Sequence, residues 1–316
     1  MNKKTLLFVT EKWTDGNPDI GLTNSTHNLF GSFQHSYSAE EYNYKTIHFD
    51  EIYLKGKHID TFANQINEKI KPDVLVCTLL GTMPCNPTEK FFEVFKNAGV
   101  KIIFIWPDFG TNWTLDSYSR FNHLVDSHIA IAGERTVTLS KVHWMWTPED
   151  PAYFYPPRND SEKNIDVLFL GTVHNSERQD YLNFLKPNLK HLNVYFGGGQ
   201  RHEKLSHEKY AELTRTSKIV INFPYSPAGN DQIKGRVFEA IYCQSLLMER
   251  KNKITCEFFE PNVEYCEFES KEELVLKINH SILFPETRKE IVKAASNKLF
   301  QKWTHNKFWK QVLETI

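Results

Sequence analysis

Twice along the chain, short and nearly continuous apolar runs alternate with polar segments of helix length. A proline-rich stretch separates the two series. The first series holds "TLLFVT" (5–10), "YKTIHF" (44–49), "DVLVCTLL" (73–80), "VKIIFIW" (100–106) and "SHIAIAG" (127–133), with helical spacing in "HIDTFANQINEKI" (58–70) and "TEKFFEVFKNAG" (88–99). Asn-Ala-Gly at the end of the latter is a helix stop. Strands apolar at successive positions are buried on both faces, and their alternation with helices predicts a parallel sheet covered on both sides. "WTPEDPAYFYPPRNDSEKN" (146–164) carries four prolines and a charged tail, which suits a linker. Beyond it the pattern restarts with "IDVLFLGT" (165–172), "LNVYFGGG" (192–199), "KIVINFP" (218–224) and "SLLMER" (245–250), each separated by a helical segment. Helices then run through 271–283 and 287–303 to a closing amphipathic segment, "HNKFWKQVLETI". The expected architecture is α/β, with doubly wound domains over 1–150 and 151–316. Ligands of such sheets sit beyond the carboxyl ends of the strands, and two facing halves leave a cleft for small molecules.

The 316 residues give each half enough chain to bury its own core. A net charge of -1, spread evenly, supplies no footprint for nucleic acid and no polybasic membrane patch. No apolar run reaches the ~18 residues of a membrane span, and the run near the N-terminus reads as a first strand rather than a signal peptide. The five cysteines (77, 85, 243, 256 and 266) include no CxxC pair, so they read as reduced thiols of a cytoplasmic protein without a zinc site. Aromatics, 14% of the chain, read mainly as core and domain-interface residues, with some able to stack on flat ligands.

One acid stands out. "VFEAIY" places Glu239 inside an apolar helical band, with Lys234 and Arg236 just before it. A carboxylate in a first helical turn is favoured by the helix dipole, and Glu239 could pair with either cation. Alternatively, it accepts hydrogen bonds from ligand hydroxyls, such as those of a ribose. Eight residues earlier, Asp231 lies in "YSPAGNDQIKG" (225–235), a loop whose backbone around Gly229 and Asn230 suits phosphate or sugar oxygens. Lys234 and Arg236 could neutralise a diphosphate. "FLGTVHNSERQDYL" (169–182) reads either as an ordinary strand-to-helix turn or as a phosphate-facing loop, with Gly171 at the turn and Arg178 or His174 supplying charge. "FGGGQ" (196–200) reads as a turn, with backbone contact to a donor as the other reading. His128, inside an apolar strand, reads as a core histidine.

The pair Asp231 and Glu239, followed by alanine and a small apolar helix, resembles the donor-site signature of retaining glycosyltransferases with the two-domain GT-B fold. "GRVFEAIYCQSLLMER", "FFEPNVEYCEFESKEELVLKI" and "FPETRKEIVKAASNKLFQKWTHNKFWKQVL" together resemble the C-terminal half of the spore-maturation-protein-like glycosyltransferases. The likeness covers 165–316 in sequence and 1–150 in architecture alone. It departs at Asp231, where the family has Glu, and at Gln244, where the family has Gly, suggesting a different turn into the next strand. By resemblance, Glu239 binds the donor ribose and Asp231, or the backbone at Gly229–Asn230, faces sugar or phosphates. The long loop "TEKWTDGNPDIGLTNSTHNLF" (10–30), expected to lack structure of its own, would face the acceptor. Its polar candidates are Asp15, Asp19 and His27. Asp108, in "WPDFGTNW" after the fourth strand, is a further acceptor-side candidate.

The expected activity is transfer of a sugar from a nucleotide-diphosphate sugar to a hydroxyl of a glycan or other acceptor. Retention of configuration is implied by the resemblance only. No DxD motif is present, so side chains and helix N-termini, rather than a metal ion or other cofactor, would offset the leaving diphosphate's charge. The competing readings are a catalytically idle binding protein of the same fold and a nucleotide-sugar epimerase.

Overall fold

The computed structural model describes residues 3–131, 138–171, 173, 176–197, 205–224 and 232–316. Asp231, Gly229, Asn230 and His174 lie outside the described residues. Two units are present: one runs to Asp150 and resumes at His305–Ile316, and the other is Pro151–Thr304.

In the first unit the described strands are β1 (Lys4–Thr10), β2 (Tyr42–His48), β3 (Val74–Cys77), β4 (Lys101–Trp106), β5 (Ser127–Ala130) and β6 (Val142–Trp144). They are parallel throughout, in the order β2-β1-β3-β4-β5-β6, with Leu6 opposite Val74 and Ile103 opposite Ser127. Helices α1 (Phe49–Leu54), α2 (Ala63–Ile70), α3 (Glu89–Asn97) and α4 (Asn112–Phe121) cover the sheet. In α3, Phe91, Phe92 and Phe95 fall on one face and are fully buried. The helix stops as its sequence predicts: Gly99 has φ 80°, the left-handed conformation that closes many helices.

Two points differ from the sequence reading. The segment after β1 has structure of its own: a Trp13–Leu22 bridge, 3₁₀ turns over Thr14–Gly16 and Pro18–Ile20, and a π-helical Ser25–Gly31. Strand β6 was not anticipated, because three residues carry no readable period. The proline-rich segment holds the boundary between the units at Asp150/Pro151; Trp146, Glu149 and Asp150 before it are buried, while most of the residues after it are exposed or half-buried.

The second unit contains β7 (Ile165–Leu170), β8 (Val194–Gly197), β9 (Ser217–Asn222), β10 (Leu246–Arg250) and β11 (Cys266–Phe268). These too are parallel, in the order β11-β10-β9-β7-β8. Its helices are α5 (Ser176–Asn188), α6 (His207–Arg215), α7 (Gly235–Tyr242), α8 (Lys271–Leu283) and α9 (Pro285–Lys302). Ser270 caps α8, its Oγ accepting from Glu273 N at 3.1 Å. After α7, Gln244 takes φ 50°, in the left-handed region where glycine is favoured. Glycine takes this conformation without strain. The strain of a side chain there costs about 1–2 kcal/mol.

The units divide at Asp150/Pro151, where the sequence reading placed the boundary, but the closing helix α10 (His305–Glu314) groups with the first unit. Trp309 is fully buried, meets Phe8 and Phe33 edge-on, and donates from Nε1 to Ser32 Oγ at 2.9 Å. Proximity in sequence to α9 suggested otherwise, but the unfilled apolar face of β1 decides the partner.

Candidate functional site

In the second unit the chain passes from β7 to β8 on one side, then returns to β9 on the other. The reversal lies between β7 and β9, and the carboxyl ends of these strands form the position where doubly wound sheets hold ligands. Gly171 follows β7, Phe223 follows β9, and two helices begin on the same edge, α5 at Ser176 and α7 at Gly235. Each carries an arginine in its first turn.

Arg178 reaches the end of β9, its Nη2 donating to the Phe223 carbonyl at 3.0 Å. Arg236 Nη1 donates to Asn222 Oδ1 at 2.6 Å, and its guanidinium lies 5.6 Å from the Phe169 ring centroid. Gly171 makes room for it: a Cβ there would lie 2.9 Å from Arg236 Nη2. Burial, then the like charge of Arg236, lowers the pKa of Arg178. Two half-buried guanidiniums thus repel across the switch point. An anion between two helix N-termini relieves that repulsion and takes charge-assisted hydrogen bonds from both.

Behind Arg236 stands a carboxyl group that the sequence reading missed. Glu249, near the end of β10, has no exposed surface. Its Oε1 accepts from Asn222 Nδ2 at 2.8 Å, so Asn222 bridges it to Arg236. Burial pushes its pKa up to about 7, opposed by hydrogen bonds from Thr255, Asn222 and Asn252 and by the Arg236 charge. The available signal was an acid ending a central, otherwise apolar strand.

Glu239 is 7% exposed and sits in the second turn of α7, so the helix-dipole argument does not apply to it. Its Oε2 accepts from Tyr210 Oη of α6 at 2.5 Å. Burial and the Glu239 charge together raise the Tyr210 pKa well above its ordinary value. Lys234 caps α7 and donates to Gln232 Oε1. Arg236 donates to Asn222 and also lowers the Tyr210 pKa, so it bears on the same hydroxyl from which Glu239 accepts. The sequence pointed to Gly171 and Arg178 in one motif and to Arg236 in another, and folding brings Arg236 beside both.

In the first unit the reversal lies between β1 and β3. Here a second carboxyl group absent from the candidates, Glu11, follows β1 and is 4% exposed. Its Oε2 accepts from Thr78 Oγ1 at 2.6 Å and Thr10 Oγ1 at 3.2 Å. Burial raises its pKa against the hydroxyls of Thr78, Ser25 and Thr10. Asp50 gathers the backbone N–H groups of Lys12, Trp13 and Glu51 at 2.8–3.0 Å and so anchors the loop after β1. Within that loop Asp15 has φ 53°, Asp19 is exposed, and His27 is half-buried in the π-helical turn. Asp108 is exposed after β4. Strand β3 separates β1 from β4, so Asp15 and Asp108 follow strands about 10 Å apart. His128 is a core residue: Nδ1 accepts from Trp106 Nε1 at 3.1 Å, and burial lowers its pKa to about 3.

Among the described residues, no group of three or more His, Cys, Asp or Glu side chains could hold a metal ion. None of their helices is long and apolar enough to cross a membrane.

Comparison with known proteins bears on this edge of the second unit. Residues 178–314 match the family model described as Glycosyl transferase-like. No curated protein sequence matches the chain. Among solved structures, HepE of Anabaena, in complex with UDP, aligns with a TM-score of 0.59 at 12% identity, covering 99% of this chain and 100% of that one. A glycosyltransferase from Rickettsia africae gives 0.60 at 12% identity, covering 99% and 98%. Sucrose-phosphate synthase from Thermosynechococcus elongatus gives 0.59 at 8% identity, covering 99% and 100%. Residues 178–314 are thus similar to the glycosyl transferase-like family, and the chain as a whole has the α/β fold of the GT-B glycosyltransferases.

Proposed function

We propose that the protein transfers a hexosyl group from a nucleotide-diphosphate sugar to an acceptor hydroxyl, with the donor on the second unit and the acceptor on the first. The observation that carries this reading is the pair Arg178 and Arg236 at the β7/β9 switch point, with Gly171 leaving room beside them. HepE complexes hold UDP and UDP-glucose, which supports a uridine donor.

In the proposed reaction, the bond from the sugar's anomeric carbon to the β-phosphate oxygen breaks as the acceptor oxygen bonds to that carbon. The acceptor's proton leaves with the diphosphate, and configuration is retained. The developing negative charge falls between Arg178 and Arg236 with the two helix N-termini, so no metal ion is required. Asp231 faces the sugar, while Glu239 takes the ribose hydroxyls in exchange for part of its bond to Tyr210. Asp15 and Asp108 bind the acceptor.

Titration calorimetry with UDP, GDP, ADP and their sugars tests the donor site, and nucleotide release with an acceptor panel tests transfer. EDTA should leave the rate unchanged, and proton NMR of the first product should show the donor's anomeric configuration. Failure of every nucleotide to bind defeats the proposal.

A further inference from the structure

A groove in the first unit, formed by α1, α2 and the outer strand β2, has no part in the reaction proposed above. Its volume is about 530 Å³. Ile47, Ile52, Phe62, Ile66 and Ile70 form an apolar floor, and each is only half-buried. Four lysines, Lys45, Lys55, Lys57 and Lys69, stand exposed around it. Lys57 Nζ lies 5.7 Å from the Phe62 ring centroid, so the rim leans over the floor.

The nearby acids are engaged elsewhere or face water. Glu51 binds Lys12 Nζ at 2.7 Å, and Asp60 accepts from Thr88 N and Oγ1 at 3.0 and 2.5 Å. Glu68 is exposed on α2 and does not line the groove. Among the described residues, none of the four lysines forms an ion pair. Lys55 is close enough to Glu51 to help lower that acid's pKa, but none of the four ammonium groups is directly paired, and their placement around an apolar trough favours a ligand with both characters. The volume lies within the range of small-molecule sites.

We infer that this groove binds a small anionic amphiphile, whose apolar chain lies along the isoleucine floor while its carboxylate or phosphate head is held by the lysines. Only residues of the first unit take part, so the inference stands or falls independently of the donor-site reading.

The test is fluorescence titration of the full chain with cis-parinaric acid, a fluorescent long-chain carboxylate, beside its neutral methyl ester. Saturable one-to-one binding of the acid, with the ester about tenfold weaker, is expected. Lys55→Glu/Lys57→Glu should weaken the acid about tenfold without shifting Tm, and Lys69→Glu alone should weaken it less. Vesicles of phosphatidylcholine with and without phosphatidylglycerol form the second arm. Equal binding of acid and ester, indifference to the lysine substitutions, or binding to anionic vesicles without binding of the monomeric acid would each overturn the assignment.

Discussion

Gly171→Ala isolates the switch-point guanidinium. The added methyl would stand 2.9 Å from Arg236 Nη2 and 3.4 Å from Phe169 Cζ. Phe169 is fully buried, and Arg236 is tied through Nη1 to Asn222 at 2.6 Å, so the free end of the arginine moves. The φ of Gly171 is not in the left-handed region, so alanine fits the backbone and restricts the unfolded chain, offsetting the contact by about 0.4–1 kcal/mol. Stability should therefore change by less than about 1 kcal/mol. A hydrogen bond from a charged donor contributes about 1.5–3 kcal/mol, so displacing the guanidinium should weaken diphosphate binding about 10- to 150-fold. Calorimetry with UDP and with uridine separates the effect, because only the diphosphate meets the arginine. Arg236→Gln is the companion variant and should show the same UDP-specific loss. If Gly171→Ala binds UDP as the wild type does while its melting temperature holds, the guanidinium does not serve the diphosphate and the argument fails.

Other predictions bear on the carboxylates and the core. Tyr210→Phe leaves the Glu239 carboxylate without that hydroxyl and should cost about 1–3 kcal/mol, read by urea unfolding. Glu239→Ala should weaken nucleotide binding while the chain still folds; an effect on melting temperature alone would make the acid purely structural. The Glu249 pKa, raised from 4.5 to about 7, makes a contribution to stability that is complete below pH 4.5 and lost as pH rises through 7. The loss amounts to about 3 kcal/mol. Above pH 7 its charge also competes with a diphosphate for Arg236, so UDP affinity should fall between pH 6 and 8, and Glu249→Gln should flatten that profile. His128 has the opposite sign: its pKa falls from 6.5 to about 3, so its contribution is present above pH 6.5 and lost as pH falls toward 3. Acid unfolding monitored by tryptophan fluorescence should lose part of its slope over that window in His128→Gln. Trp309→Ala should destabilise the first unit by about 3–5 kcal/mol, measured by calorimetric unfolding.

Most of the architecture was legible because period and burial are local properties of sequence. β1, β7 and β9 carry uninterrupted apolar runs, and α3 and α8 carry their stop and cap residues. β6 and β11, three residues each, contain too little pattern to read. At the site, Arg178 and Arg236 were visible as cations opening helices after strands. Glu239 was visible as an acid in an apolar band, but its partner was not, since Tyr210 lies 29 residues away. Glu11 and Glu249 were passed over because each ends a strand, where an acid looks like a solvated boundary. Only the strand order reveals that both strands are interior, leaving their ends in the sheet's middle.

The return of α10 to the first unit makes that unit discontinuous in the chain, while Pro151–Thr304 is a single uninterrupted stretch. On a ribosome the two therefore mature out of order. The later-made unit has all its strands and covering helices once Thr304 has emerged. The earlier-made one keeps Phe8 and Phe33 uncapped until Trp309 follows. Residues 305–316 thus decide when the first unit can finish folding, and its apolar surface stays open to chaperones until they have been made.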